Sequence, residues 1–389
     1  MALPDSFFSI ISVYLRKIEY KLRGIISIRP TLNKKGHVLL SYVKHPFVIT
    51  KKEFNQSSHT NLYECLIITE IFLERGFAVD IIDWTNKKFV PKKKYDIVID
   101  IHSNLERLAP FLSQKCVKIF YATGAYWLYQ NNAEQKRLDN LQKRRGCNLQ
   151  PRRKLAPSKA IENADYAIAL GNGFARETFN FSGKKIIDIP LFSIPTLPSP
   201  EHKDFDNIRK NFVWIGGGGA VHKGLDLVLE CFAKMPDYKL TVCGPIGVEK
   251  DFVDCYKKEL YKTPNIKYVG RIDVKGEFFK KITEESIGLI YPSCSEGQAG
   301  SVITALHAGL IPITTHQSGV NAEPFGVELK TPSVEEIINA IKYVSSLPET
   351  DLKLRSIAVW NYAQRYHTRE QFKKSYASFI DVIIKERNI

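Results

Sequence analysis

The chain has 389 residues, 44% of them hydrophobic and 25% charged, a balance that excludes a disordered or collagen-like polymer and leaves room for two domains. Its formal net charge of +15 favours anionic partners, yet no helix-turn-helix, zinc-finger or RNP pattern accompanies it, so nucleic acid is not an expected partner. Seven cysteines, an odd number without metal-type spacing, point to reduced thiols and a cytoplasmic setting.

In chain order, residues 1–35 come first as an amphipathic segment. Phe7, Phe8, Ile10, Ile11, Val13, Tyr14, Leu15 and Ile18 are interrupted by Arg16 and Lys17 and followed by Lys21 and Arg23, too early for a spanning helix. A basic n-region and a small-residue cleavage site are also missing, which argues against a secretory signal. A helix in the membrane interface and a helix packed on the protein's own surface both fit.

Residues 37–43 then read as a strand and 61–74 as a helix stopped by Gly76. Residues 77–83, 95–101, 117–121 and 165–170 read as further strands. This alternation predicts a parallel sheet covered on both faces, over 36–195. His102 follows the strand 95–101, where a structural histidine and a cleft-lining one both fit. The loop from Ala122 to Trp127, with Thr123 and Gly124, follows the strand 117–121. Lys92-Lys93-Lys94, Arg144-Arg145 and Arg152-Arg153 read singly as solvated surface and together as attraction towards an anionic membrane. Pro190, Pro195, Pro198 and Pro200 mark a linker.

Residues 205–365 carry the most informative segments. Phe212 to Ile215 is a buried strand, Gly216 to Gly219 and Gly224 flank Lys223, and Leu225, Val228, Leu229 and Phe232 give the next helix one apolar face. Glycines let the backbone approach a ligand, and helix-start amides with a lysine favour an anion. The spacing satisfies neither a P-loop nor a dinucleotide fingerprint. Taken alone it also fits a structural strand-to-helix turn. Strands follow at 239–243 and 266–270, then the apolar run 287–291, a loop over 292–300, and a helix beginning at Ser301 and stopped by Gly309. Two glycine-bearing loops after strands can face one ligand at the carboxyl edge of a parallel sheet. An Asp-x-Asp pair, Asp204 and Asp206, falls in the polar linker region, and neither His nor Cys shows zinc spacing, so no metal is expected.

This half of the chain resembles the donor-binding domain of the family 4 (group 1) glycosyltransferases, retaining enzymes of the GT-B fold. The resemblance rests on Gly216 to Gly224 with Lys223, on the Glu-Gly-x-x-Gly loop from Glu296, and on the strands between them. It implies an α/β fold of two Rossmann-like domains whose parallel sheets face a central cleft, with 366–389 a helix returning to the first domain. It further implies a nucleoside-diphosphate-sugar donor, a glycan or lipid-linked acceptor in cell-surface polysaccharide or glycolipid assembly, and no cofactor.

By the same resemblance, Lys223 and the amides of Gly218 and Gly219 hold the diphosphate, and Glu296 lies by the sugar. Lys223 and Glu296 are the expected catalytic pair. The amides of Gly300, Ser301 and Val302 cap the phosphates, and Arg271 and Ile272 meet the base. Gly217, His222, Gly297 and Thr304 complete the donor set, and His102, Thr123 and Gly124 stand for the acceptor side. Three departures accompany it. Thr304 stands where the family carries a second glutamate, Gly217 where it often carries an arginine, and Ala122 to Trp127 has no histidine. A sugar-nucleotide epimerase and a non-catalytic nucleotide-sugar scaffold remain alternatives.

Overall fold

The computed structural model describes residues 5–31, 34–194 and 197–389; Pro195 of the expected linker and parts of the 1–35 segment (1–4 and 32–33) lie outside the described residues. Short aliphatic runs form a seven-stranded and a six-stranded sheet.

The first sheet contains β1 (Ile26–Ile28), β2 (Gly36–Tyr42), β3 (Phe77–Asp83), β4 (Ile97–Asp100), β5 (Val117–Ala122), β6 (Tyr166–Leu170) and β7 (Ile186–Ile189). Their order is β1-β3-β2-β4-β5-β6-β7, parallel except for the edge strand β1. Alternate residues feed opposite faces: Val38, Leu40, Ile97 and Ile99 enter one core, and Leu39, Val98 and Phe120 the other. Such double burial explains why these strands are mostly apolar along their length.

The second sheet contains β8 (Asn211–Ile215), β9 (Lys239–Cys243), β10 (Ile266–Gly270), β11 (Gly288–Tyr291), β12 (Ile311–Thr315) and β13 (Val327–Leu329). Their order is β10-β9-β8-β11-β12-β13, parallel throughout. The architecture is the GT-B plan of two Rossmann-like lobes.

Six helices bear on how the lobes are covered and joined. The first, α1 (Ile10–Arg23), starts at Ser9 and ends at Gly24 in the left-handed conformation. Next, α2 (Thr60–Glu74) packs beneath β2 and β3. A long, mostly polar helix, α3 (Trp127–Arg145), leaves the first lobe and lies along the second, where Leu138 and Leu141 enter its core. In the second lobe, α4 (Leu225–Ala233) follows β8, and α5 (Gly300–Leu306) follows the loop after β11. The last helix, α6 (Arg369–Arg387), buries Phe372, Tyr376, Phe379, Ile380 and Ile383 in the first-lobe core.

Two sequence expectations are corrected here. Arg144, Arg145 and Arg152 stay exposed to water but are ion-paired rather than free surface charges. Arg144 pairs with the buried Asp226 at 2.7 Å, Arg145 with Glu259 at 2.8 Å and Arg152 with Asp251 at 2.5 Å, all across the lobes. Nor are all seven cysteines reduced thiols: Cys147, just past α3, is joined to Cys255 of the second lobe, 108 residues away. The docking of α3 brings the two together, and no local spacing announces it.

Candidate functional site

Strand order reverses around β8, which pairs with β9 on one side and β11 on the other. Loops leaving β8 and β11 therefore open side by side at the carboxyl edge, where a parallel sheet leaves a crevice. The residues after β8 and the residues after β11 line one cavity there, of about 450 Å³, a volume suited to a small ligand. Gly244 and Pro245 after β9, and Arg271 and Ile272 after β10, extend its wall.

Glycine has a physical reason at two points of these loops. A side-chain carbon on Gly224, whose φ is +72°, would fall 2.5 Å from Pro292, so the two loops could not touch. At Gly297 it would fall 2.4 Å from the Thr123 carbonyl oxygen, so this residue lets the second lobe meet the first. Gly217 differs: its added carbon would meet nothing within 4 Å, which leaves the turn open to a ligand.

At the floor of the cavity lies a buried ion pair. Lys223 Nζ donates to Glu296 Oε1 at 2.5 Å and to the Tyr291 hydroxyl at 2.9 Å. The same Glu296 oxygen accepts from Tyr291 at 2.9 Å and Ser293 at 3.2 Å. Burial opposes ionisation of Glu296, but the charges of Lys223, His222 and Arg153 and the lysine hydrogen bond outweigh it and hold the carboxyl at about 2. An ammonium has three N–H donors; two are engaged here, which leaves one for a ligand oxygen.

The structure divides the expected donor set. Gly217, Gly218, Lys223, Arg271, Ile272, Glu296, Gly300, Ser301 and Thr304 line the cavity together. Gly219, His222, Gly297 and Val302 are not among its lining residues. The Gly219 amide is engaged by the Glu249 carboxylate at 2.6 Å, which also takes the Ala220 amide, so the expected phosphate role of that amide is corrected. His222 is a buried pin between the loops, with Nε2 on the Ser295 carbonyl and its own carbonyl accepting from Cys294 N. Burial pulls its pKa down to about 4, so the ring is neutral at pH 7. Gly297 serves the lobe contact, and the Val302 side chain is core. Thr304 keeps its hydroxyl 3.3 Å from that of Ser193 in the segment joining the lobes.

His102, Thr123 and Gly124 share a separate first-lobe cavity of about 150 Å³ with Tyr126, Trp127 and Arg153. His102 stacks obliquely on Trp84 and leaves its buried Nδ1 without a hydrogen-bond partner among the described residues. Burial lowers its pKa.

Three contributors escaped the sequence reading. Tyr291 ends a strand that reads only as apolar. His59, with Ser58 and Thr60 at the start of α2, brings a first-lobe histidine to the donor-side cavity. Its signal is its place just before a helix. Arg153 reaches the second lobe with its stem over Gly219, where an added side-chain carbon would lie 2.7 Å from its Cγ. The buried Glu134 fixes this segment by accepting from the amides of Arg152 and Arg153 at 3.0 Å.

Among the described residues, no group of three or more His, Cys, Asp or Glu side chains is placed to hold a metal ion. Among the described residues, no helix is long and apolar enough to cross a membrane.

Residues 203–358 match the family model described as glycosyl transferases group 1. No curated protein matches the chain. Similar solved structures include sucrose-phosphate synthase from Thermosynechococcus elongatus, at 12% identity and TM-score 0.63, with 90% of this chain and all of that one covered. Another is Anabaena HepE in complex with UDP and glucose, at 13% identity and TM-score 0.56, with 90% and 100% covered. A Rickettsia africae glycosyltransferase matches at 12% identity and TM-score 0.56, with 91% and 100% covered. At these identities the likeness is one of fold.

Proposed function

We propose that this GT-B fold chain, whose second lobe is a group 1 glycosyl transferase domain, moves a sugar from a nucleoside-diphosphate donor to a glycan or lipid-linked acceptor. The observation that carries the reading is the Lys223–Glu296 pair, buried at the junction of two glycine-bearing loops in a cavity that also holds Arg271. Transfer needs negative charge stabilised on the departing diphosphate, and a preorganised ammonium supplies that without reorganisation. The free N–H of Lys223 and the first-turn amides of Gly300 and Ser301 provide donors, with no metal required as counter-charge. Glu296, ionised and held from three directions, accepts from sugar hydroxyls. Base contacts fall to Arg271 and Ile272 at the far wall, and the ribose contact to Thr304.

The first-lobe cavity with His102, Thr123 and Gly124 meets the second lobe at Gly297, next to Glu296 in the chain. An acceptor hydroxyl presented there approaches the sugar from the lobe opposite the phosphates. Retention of anomeric configuration follows the family pattern, and the acceptor class accords with a chain acting at a membrane face in cell-surface polysaccharide or glycolipid assembly.

Incubating the full chain with a panel of nucleotide-sugars and membrane extract, with and without a chelator, tests this. Transfer with retained configuration, indifferent to the chelator, is expected. Binding without turnover would favour a scaffold, and rearrangement of the sugar would favour an epimerase.

A further inference from the structure

The helix α1 is built inside out for a helix on a protein surface. Val13 is buried, and Arg16 and Tyr20 turn to the body on the same side. The Arg16 guanidinium donates to the Phe47 carbonyl, and Lys44 lies over the Tyr20 ring. The opposite side, which faces water, carries Ile10, Ile11, Tyr14, Leu15, Ile18 and Leu22. Ile10 and Leu22 at its two ends are 78% and 79% exposed. At about 100° per residue these six fall within one arc of roughly 140°. A surface helix places its apolar stripe towards the core, so an outward stripe of this size marks an interaction face.

What covers it is indicated by charge. Lys17, Lys21 and Arg23 are exposed along the same helix, whose one acid, Glu19, is engaged by Arg23. At its end, Leu22 and Arg23 share a cavity with Val90, Lys88, Lys92 and Lys93; Lys93 is paired with the buried Asp80 at 2.9 Å, and Lys88 and Lys92 with Arg23 make the end of the apolar stripe cationic. Fourteen residues make a helix about 21 Å long, too short to span a bilayer and suited to lie in its interface.

We propose that the outward face of α1, with the lysines around Leu22, docks this protein on a bilayer surface containing anionic phospholipid. Apolar side chains enter the headgroup–acyl boundary while the basic rim meets the lipid phosphates. The site is separate from the sugar-transfer cleft, and the inference stands whether or not that function holds. It also has a consequence for the cleft. Arg16 fastens α1 to residue 47, and ten residues on, Lys275 of the second lobe donates to the Ser57 carbonyl at 2.8 Å, beside Ser58 and His59 of the cavity rim. Docking therefore holds the cleft beside the membrane.

Vesicle flotation of the full chain tests this, using phosphatidylcholine alone and phosphatidylcholine with phosphatidylglycerol, at low and high salt. Flotation with the anionic vesicles, weakened by salt, is expected. A variant carrying Ile11→Asp, Leu15→Asp and Leu22→Asp should bind at least about tenfold more weakly, with unchanged circular dichroism and unchanged UDP affinity. Placing tryptophan at position 14 (Tyr14→Trp) should give a blue-shifted emission on adding anionic vesicles. Absence of flotation for the unsubstituted chain, or full binding by the triple variant, overturns the proposal. So does a concentration-dependent dimer abolished by the same substitutions without any vesicle binding, which would make the face a contact between copies.

Discussion

Replacing Lys223 by alanine perturbs two things at once, and their sizes follow from the same geometry. The ammonium and the Glu296 carboxylate are both largely buried, with side-chain exposures of 9% and 12%. Removing one partner of such a pair strands the other, at about 3–5 kcal/mol. Here Tyr291 and Ser293 still donate to Glu296, so the low end, about 3 kcal/mol, is expected at pH 7. Replacing Glu296 by glutamine in the same molecule removes the stranded charge and should restore about 1–3 kcal/mol. Donor binding behaves differently, because the diphosphate loses a charge-assisted hydrogen bond in both variants. Its loss weakens affinity by about 2 kcal/mol, or roughly thirtyfold, with no recovery in the double variant. Urea unfolding of the four proteins in the cycle gives the first quantity, and calorimetric titration with UDP the second. Stability and affinity both equal to those of the unsubstituted chain would refute the reasoning. Recovery of both together would also refute it, since the lysine would then act only on the fold.

Three further outcomes can be stated. Arg153→Ala should weaken UDP binding about fivefold, equivalent to about 1 kcal/mol for a cation exposed to water, and Arg153→Lys should restore part of it; unchanged affinity would leave Arg153 as a lobe contact only. His367 donates Nδ1–H to the Leu191 carbonyl at 2.7 Å, while its buried Nε2 has no partner among the described residues. Burial lowers its pKa from 6.5 to about 4, so the unfolded chain takes up the proton first and stability is lost as pH falls through that window, by about 3 kcal/mol. His367→Asn should flatten this part of the urea-stability profile, and an unchanged slope would contradict the assignment. Finally, Cys255→Ser opens a loop of 108 residues' separation and should lower unfolding stability by about 2–4 kcal/mol, an effect mimicked by reductant; equal stability with and without reductant would show that the bridge does not form.

Legibility from sequence tracked how locally each feature is determined. The buried strands announce themselves because a parallel strand covered on both faces is nearly continuously apolar, as in β11 and in β4 up to Asp100. The glycine turn is legible because a close loop approach leaves few residue choices, as Gly224 against Pro292 shows, whereas Glu296 was legible only through the family resemblance of its loop. The helix α3 was invisible by periodicity. Its polar residues satisfy charges on another lobe, so Arg144 and Arg145 read as surface until Asp226 and Glu259 are placed beside them. The Cys147–Cys255 bridge is hidden for the same reason. The edge strand β1 is only three residues long, and β7 (Ile186-Ile-Asp-Ile189) has only four, so neither gives a run long enough to read, although Gly183 and Pro190 flank β7. Arg153 is the instructive case in the site, since nothing in an Arg-Arg pair states which of the two meets a carboxylate and which lies over a glycine turn.

Structure determination of the full chain crystallised with UDP tests the central claim most directly. The diphosphate should lie within hydrogen-bond distance of Lys223 Nζ and the Gly300 and Ser301 amides, with the base against Arg271 and Ile272. A nucleotide bound elsewhere, or a Lys223 ammonium that stays turned from the phosphates with all its donors on Tyr291 and Glu296, would contradict the account.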